Sequence, residues 1–248
     1  SSPSHLVLLC KNNIGYKNLI NIVSKSWTEG FYSKPRVDQE LLEQYSEGII
    51  ALSACLSGEL CRLLERNEYE KAKEKALQYR KIFGDKNFYI ELQNQGLKEQ
   101  KYINPMLINI ARETEIPLVV TNDCHYISKE DSKVQDVLLC IQTNRTIYDE
   151  QRMKFSSDQF YVKSESEMKE LFSDLKEAYE NTLKIAEVCN VEFEFGNTKL
   201  PHFEVPNNQD HFEYLKDKSY KGLLKNYGQN PNHSVLDRLE YELNMINN

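Results

Sequence analysis

Four short apolar runs separated by helical patterns constrain this chain more than any other feature of its sequence. The runs cover residues 5–10, 48–54, 88–93 and 116–122. Each is nearly continuous in apolar residues rather than alternating, the pattern of strands covered on both faces. Helical spacing fills the gaps at 14–27, 68–83 and 98–114, and in the first of these Leu19, Ile20 and Val23 supply the stripe. Strands alternating with helices imply right-handed βαβ units, hence an α/β fold with a parallel sheet or barrel. Residues 30–38, with Pro35, read as a connecting loop.

Beyond residue 122 the pattern turns helical. A helix is predicted over 129–142, with Val134, Val137, Leu138 and Ile141 as its apolar stripe. Ser164 and Glu167 fit a capping box ahead of Met168, Leu171 and Phe172. Further helices are predicted at 177–189, 210–227 and 234–247, with a short extended piece at 193–195 and a non-helical linker at 200–206. These place a boundary near Leu200, dividing 1–200 from 201–248.

Charge and cysteine usage limit the function classes. The 248 residues carry a net charge of -7, which disfavours gripping phosphate backbones by bulk charge but leaves room for a local basic site. No apolar run approaches the roughly 20 residues that a membrane helix needs. The first residues show neither a basic nor an apolar signal region. Six cysteines without a C-x-x-C pair read as reduced thiols in a cytoplasmic protein, mostly small core residues. The sequence starts without Met, runs at once into an apolar segment and stops inside a helical pattern, so a piece of a longer protein is expected.

In α/β folds, chemistry collects at the carboxyl ends of parallel strands. The run at 116–122 leads into Asp123-Cys124-His125, a D-x-H that puts a carboxylate and an imidazole on one side of an extended chain. Both groups suit Zn, Mn or Fe. Taken alone, such a pair is more often a capping Asp and a His bonded to a loop carbonyl. Cys124, between them, alternates away and is not counted as a ligand. Cys55 ends the second run, where an isolated Cys is more often a buried structural thiol. His5 opens the first run, and Glu91 sits inside the third, where a carboxylate must be paired, metal-bound or facing water. His202, His211 and His233 have no ligand spacing. The chain has no G-x-x-x-x-G-K-[ST], no G-x-G-x-x-G and no G-x-S-x-G, which argues against a P-loop, a Rossmann fingerprint and a hydrolase elbow.

A family resemblance runs nearly end to end. His5-Leu6-Val7-Leu8-Leu9, Asn13-Ile14-Gly15-Tyr16-Lys17-Asn18-Leu19, Glu29-Gly30-Phe31-Tyr32 and Lys34-Pro35-Arg36 come first. Ala51-Leu52-Ser53-Ala54-Cys55, Thr121-Asn122-Asp123-Cys124-His125-Tyr126 and Asp136-Val137-Leu138-Leu139-Cys140-Ile141-Gln142-Thr143 follow in order. Phe155-Ser156-Ser157-Asp158, Glu187-Val188-Cys189-Asn190 and Leu200-Pro201-His202-Phe203 complete the set. Together these resemble the PHP (polymerase and histidinol phosphatase) domain of the bacterial replicative C-family polymerases, the DNA polymerase III alpha subunits.

The resemblance implies a distorted (β/α) barrel, here partial, with a metal cluster at the strand ends. It implies His5, Cys55, Asp123 and His125 as metal ligands, with Glu91 as a second-tier candidate. The family's earlier ligands have no counterpart. Residues 237–243 resemble the lead-in to a polymerase palm, whose catalytic aspartates are not found in this sequence. A divalent metal, Zn or Mn, is implied for the PHP site and Mg for the palm. DNA primer-template, nucleoside triphosphates and other replisome subunits are the implied partners. The implied activities are nucleotidyl transfer by the palm and 3′–5′ exonuclease proofreading by the PHP site. A non-catalytic scaffold is the alternative, and a stand-alone phosphoesterase of the histidinol phosphatase kind is a weaker one. The chain by itself is expected to be inactive, to bind metal loosely and to expose some apolar surface.

Overall fold

The structure is a computed structural model that describes residues 3–198 and 200–247. The chain divides into two compact units, residues 1–193 and 194–248.

The first unit is mixed α/β. Its elements run β1 (Val7–Cys10), α1 (Asn13–Thr28), α2 (Gln39–Gln44), β2 (Ile49–Leu52), α3 (Glu59–Glu65), α4 (Tyr69–Phe83) and β3 (Phe88–Leu92). There follow α5 (Lys98–Thr114), β4 (Leu118–Val120), α6 (Ser132–Gln142), α7 (Glu165–Leu171) and α8 (Lys176–Val188). The strands form one sheet in the order β1-β2-β3-β4. Its core is the sheet packed on α3, α4 and α5. Phe88, Ile90 and Leu92 of β3 meet Leu60 and Leu64 of α3 and Ile103, Leu107 and Ile110 of α5 there. All of these are essentially without solvent contact, and each such side chain contributes about 1.5–3 kcal/mol relative to an exposed position.

One strand runs against expectation. Pairs β2–β3 and β3–β4 are parallel, but β1 is antiparallel to β2, with Val7 opposite Leu52 and Cys10 opposite Ile49. The connection carries two helices, and its second half returns the chain to the end of β1 that it left. Gly48, just before β2, closes that return against the start of α1. Its carbonyl accepts from Lys11 N at 2.8 Å, and a Cβ on Gly15 would lie 1.8 Å from the same oxygen. Gly48 itself has φ +71°, a conformation that costs glycine little.

Two helical stripes also face differently from the reading above. In α1 the inward face is Gly15, Leu19, Ile22 and Ser26, while Ile20, Val23 and Trp27 are exposed. Two small residues on the buried side made the outer stripe look like the core face. In α6, Leu139 and Cys140 are buried, and Val134, Val137, Leu138 and Ile141 face solvent. The capping box at α7 forms as its residues predict, with Glu167 accepting from Ser164 N at 2.8 Å.

In the second unit, α9 (His211–Tyr227) is capped by Asp210, which accepts from Phe212 N at 2.9 Å and Glu213 N at 3.1 Å. Leu223 of α9 and Leu243 of α10 (His233–Asn247) are its buried residues. No helix among the described residues is long and apolar enough to cross a membrane.

Candidate functional site

The carboxyl ends of β2, β3 and β4 share one end of the sheet, and the reversal of β1 brings its amino end there too. His5, ahead of β1, therefore lies beside the residues that follow β2. His5 N donates to Ser57 O at 3.0 Å. A cavity of about 540 Å³ opens at this end, and His5, Cys55, Glu91, Gln93, Thr121 and Asp123 are among its lining.

Within it, Cys55 Sγ lies 3.6 Å from His5 Nδ1. Two ligands of a tetrahedral Zn, at about 2.3 Å for sulfur and about 2.0 Å for nitrogen, would stand roughly 3.5 Å apart. The pair is therefore at ligand spacing. Burial pushes the Cys55 thiol above its ordinary range, and the Asp123 and Glu91 carboxylates push the same way. A cation between these groups would reverse that balance, because it stabilises the thiolate and offsets the crowded negative charge.

Glu91 is buried, and burial raises its pKa, with Asp123 adding to the shift. Its carboxylate accepts from Ala54 N at 3.1 Å, from Gln93 Nε2 at 2.8 Å and from Thr121 Oγ1. Three donors satisfy it without a metal, so its place in this apolar strand has a sufficient structural account.

Asp123 and Ala54 each follow a strand and each sit at positive φ, +45° and +65°. For Ala54 that conformation costs on the order of 1 kcal/mol. Such strain persists only where the surroundings hold it, and it clusters at functional sites. The holding here is a buried amide network. Asn122 Nδ2 donates to Gln159 O at 3.0 Å and Tyr161 O at 2.6 Å, while Asn122 O accepts from Gln95 Nε2 at 2.8 Å. Gln95 is in turn fixed by Gln100, and Ser157 Oγ donates to Gln95 O at 2.7 Å. Sequence reasoning missed Asn122, Gln95 and Gln100. The available signal was three amides in or beside apolar segments, since a buried amide must be bonded.

His125 stands apart from the cavity lining. Its Nδ1 is 2.7 Å from Asp123 O, and its ring packs on Phe155 at 4.7 Å and edge-on to Phe160 at 5.5 Å. A carbonyl only accepts, so Nδ1 carries the proton and Nε2 keeps its lone pair, the tautomer of a His that binds metal through Nε2. A His bonded to a loop carbonyl, the bland alternative for a D-x-H, is thus what the geometry shows, and it is compatible with ligation. Cys124 points its thiol to Tyr161 O at 3.4 Å. Among the described residues, no three His, Cys, Asp or Glu side chains converge closely enough to form a complete metal site. His5 and Cys55 stand at ligand spacing, and the Glu91 and Asp123 carboxylates line the same cavity.

Residues 1–95 match the family model described as PHP domain. Over 244 residues, 98% of this chain, the sequence is 44% identical to DNA polymerase III subunit alpha of Borreliella burgdorferi, covering 21% of that protein. The corresponding protein of Treponema pallidum is 44% identical over 243 residues, with 98% of this chain and 21% of the relative covered. That of Thermus aquaticus is 39% identical over 229 residues, covering 90% of this chain and 19% of the relative. The chain spans about a fifth of the length of the curated relatives it matches. Its sequence is thus similar to DNA polymerase III subunit alpha over nearly its whole length, and its first 95 residues match the PHP domain model.

Proposed function

We propose that this chain is the PHP metal-site region of a replicative DNA polymerase, with residues 1–200 as PHP domain and 201–248 as the lead-in to the palm. In that reading His5, Cys55, Asp123 and His125 hold a divalent metal, Zn or Mn, and Glu91 supports them from the cavity wall. The observation that carries the reading is the 3.6 Å His5–Cys55 pair in a cavity that two carboxylates also line.

A bound metal would supply a hydroxide and neutralise charge on a phosphoryl group. This chain's residues have their own parts in that chemistry. The Asn122 clamp holds Asp123 at its strained backbone angle. His125 is held as the Nδ1–H tautomer by Asp123 O. Glu91, fully bonded, fixes the ends of β2 and β4 to β3 through Ala54 and Thr121.

The reaction proposed for the PHP site is 3′–5′ exonuclease cleavage. Nucleotidyl transfer on primer-template and nucleoside triphosphates, with Mg, belongs to the longer protein, as do replisome contacts and a cytoplasmic location. The alternative of a PHP scaffold without catalysis draws on the absence, among the described residues, of three converging ligands.

Isothermal titration of the chain with Zn and with Mn decides between them. Saturable binding that His5→Ala and Cys55→Ala weaken at least tenfold supports the metal site, and no binding in the wild type supports the scaffold.

A further inference from the structure

We propose that Gln93 is a further ligand of the metal cavity, a neutral oxygen donor that raises the cavity's affinity for Mn relative to Zn. The inference rests on the metal-site reading above and extends its ligand set beyond His, Cys, Asp and Glu.

Strand register places the side chain. Leu52 pairs with Tyr89 and Glu91 with Val119, and the ladder continues as Thr121 N donates to Leu92 O at 3.1 Å. Side chains alternate along a strand, so Glu91, Gln93 and Thr121 share one face of the sheet. They continue the face on which Ile50, Leu52, Tyr89 and Val119 cluster. β3 runs between β2 and β4. Gln93 therefore stands between Cys55, which follows β2, and Asp123, which follows β4, and all three line the cavity of about 540 Å³.

The neighbours fix which way the amide turns. Gln93 is 6% exposed, and its Nε2 donates to Glu91 Oε1 at 2.8 Å and to Thr121 Oγ1 at 3.1 Å. Thr121 Oγ1 spends its own proton on Glu91 Oε1. A carboxylate only accepts, and a hydroxyl whose proton is used can only accept, so both neighbours require the nitrogen. Gln93 Oε1 is left without a hydrogen-bond partner among the described residues. It is not sealed off either, unlike the buried, unpartnered Arg36 Nε and Asn87 Oδ1. Its open side is the cavity.

An amide oxygen is hard and uncharged. The thiol and imidazole of Cys55 and His5 suit Zn, whereas carboxylate and carbonyl oxygens suit Mn. Gln93 thus adds to the oxygen side of the cavity without adding negative charge to Glu91 and Asp123, which already crowd each other.

The test is isothermal titration of the 248-residue chain with Mn and with Zn. Gln93→Met keeps the side-chain length and removes the oxygen. It should weaken Mn binding by about tenfold or more and Zn binding by less, so the Mn-to-Zn affinity ratio falls. Gln93→Glu keeps an oxygen at the position but cannot donate to Glu91, and it should hold Mn affinity at or above that of the wild type. A purely structural Gln93 requires the opposite, since both variants lose the bond to Glu91 and would weaken the two metals alike. Thr121→Val removes the hydroxyl partner of Glu91 without touching the amide oxygen, and should leave the ratio at its wild-type value. Should Gln93→Met not fold, Gln93→Glu decides alone.

An unchanged ratio in Gln93→Met, or a loss of Mn affinity in Gln93→Glu, overturns the proposal. The metal-site reading then still stands wherever His5→Ala and Cys55→Ala weaken binding. A wild-type chain that binds neither Mn nor Zn sinks that reading, and the Gln93 ligand with it.

Discussion

Asn122 is the residue on which the geometry of the D-x-H turn depends, and Asn122→Ala tests that dependence. The side chain is 7% exposed and donates to two carbonyls, Gln159 O at 3.0 Å and Tyr161 O at 2.6 Å. Alanine removes both bonds, while Gln159 O keeps Lys163 Nζ at 2.6 Å and Tyr161 O keeps the Cys124 thiol at 3.4 Å. At about 1 kcal/mol for each lost bond, the cost is about 2 kcal/mol. For a unit of this size each kcal/mol moves the melting temperature by about 2–4 °C, so a fall of roughly 4–8 °C is expected.

Stability alone does not separate a clamp from an ordinary buried amide, so Zn affinity is measured on the same protein. The strained Asp123 at φ +45° should relax once the clamp is gone, and Zn binding should weaken by about tenfold or more, as for other lost supporting contacts. Asn181→Ala is the matched control. It is equally buried, but it bonds Leu118 O at 2.8 Å, at the other end of β4. It should lower stability and leave Zn affinity unchanged. A melting temperature within about 1 °C of wild type for Asn122→Ala, beneath the shift expected from a single lost bond, refutes the clamp. Equal effects of the two substitutions on Zn binding refute the positioning role.

Three other substitutions probe distinct parts of the argument. Gly15→Ala drives a methyl to 1.8 Å from Gly48 O, backbone against backbone, and should cost about 3 kcal/mol or more by urea denaturation. A near-neutral result would show that α1 can slide away from the β1–β2 return. Glu167 is held down to about 2 from its ordinary 4.5, first by Tyr161 and then by the Ser164 hydroxyl and N–H. Its contribution is therefore present above the unfolded value of 4.5 and is lost as pH falls toward about 2. Glu167→Gln should flatten the acid limb of a melting-temperature profile in that window, and an unchanged limb would remove the linkage. Arg152→Ala removes the two-pronged pair that holds the Asp136 carboxyl below its ordinary range. The Asp136 carboxyl should then titrate nearer its ordinary value by carboxyl NMR, and an unchanged titration would contradict the pairing.

How far the site could be read from sequence turns on β1. The four strands, the helices between them and the α7 capping box were legible because apolar continuity, helical spacing and S-x-x-E each report local structure. Strand direction is not local. The return of the chain depends on how many passes a connection makes, and the short α2 (Gln39–Gln44) carries too weak a periodicity to be counted. With every strand parallel, His5 would sit at the amino end of the sheet, a strand length away from Cys55 and Asp123. The resemblance put His5 among the candidate ligands while the alternation of elements put it at the wrong end. The antiparallel β1 resolves that conflict. The contact that enforces it, Gly48 against Gly15 and Asn12, was present in the sequence only as two glycines without a visible reason. The metal-site reading therefore depends on the α1–β2 return as much as on the ligands themselves. A change at Gly15 or Gly48 that leaves the chain folded should separate His5 from Cys55, and should weaken Zn binding as much as Cys55→Ala does.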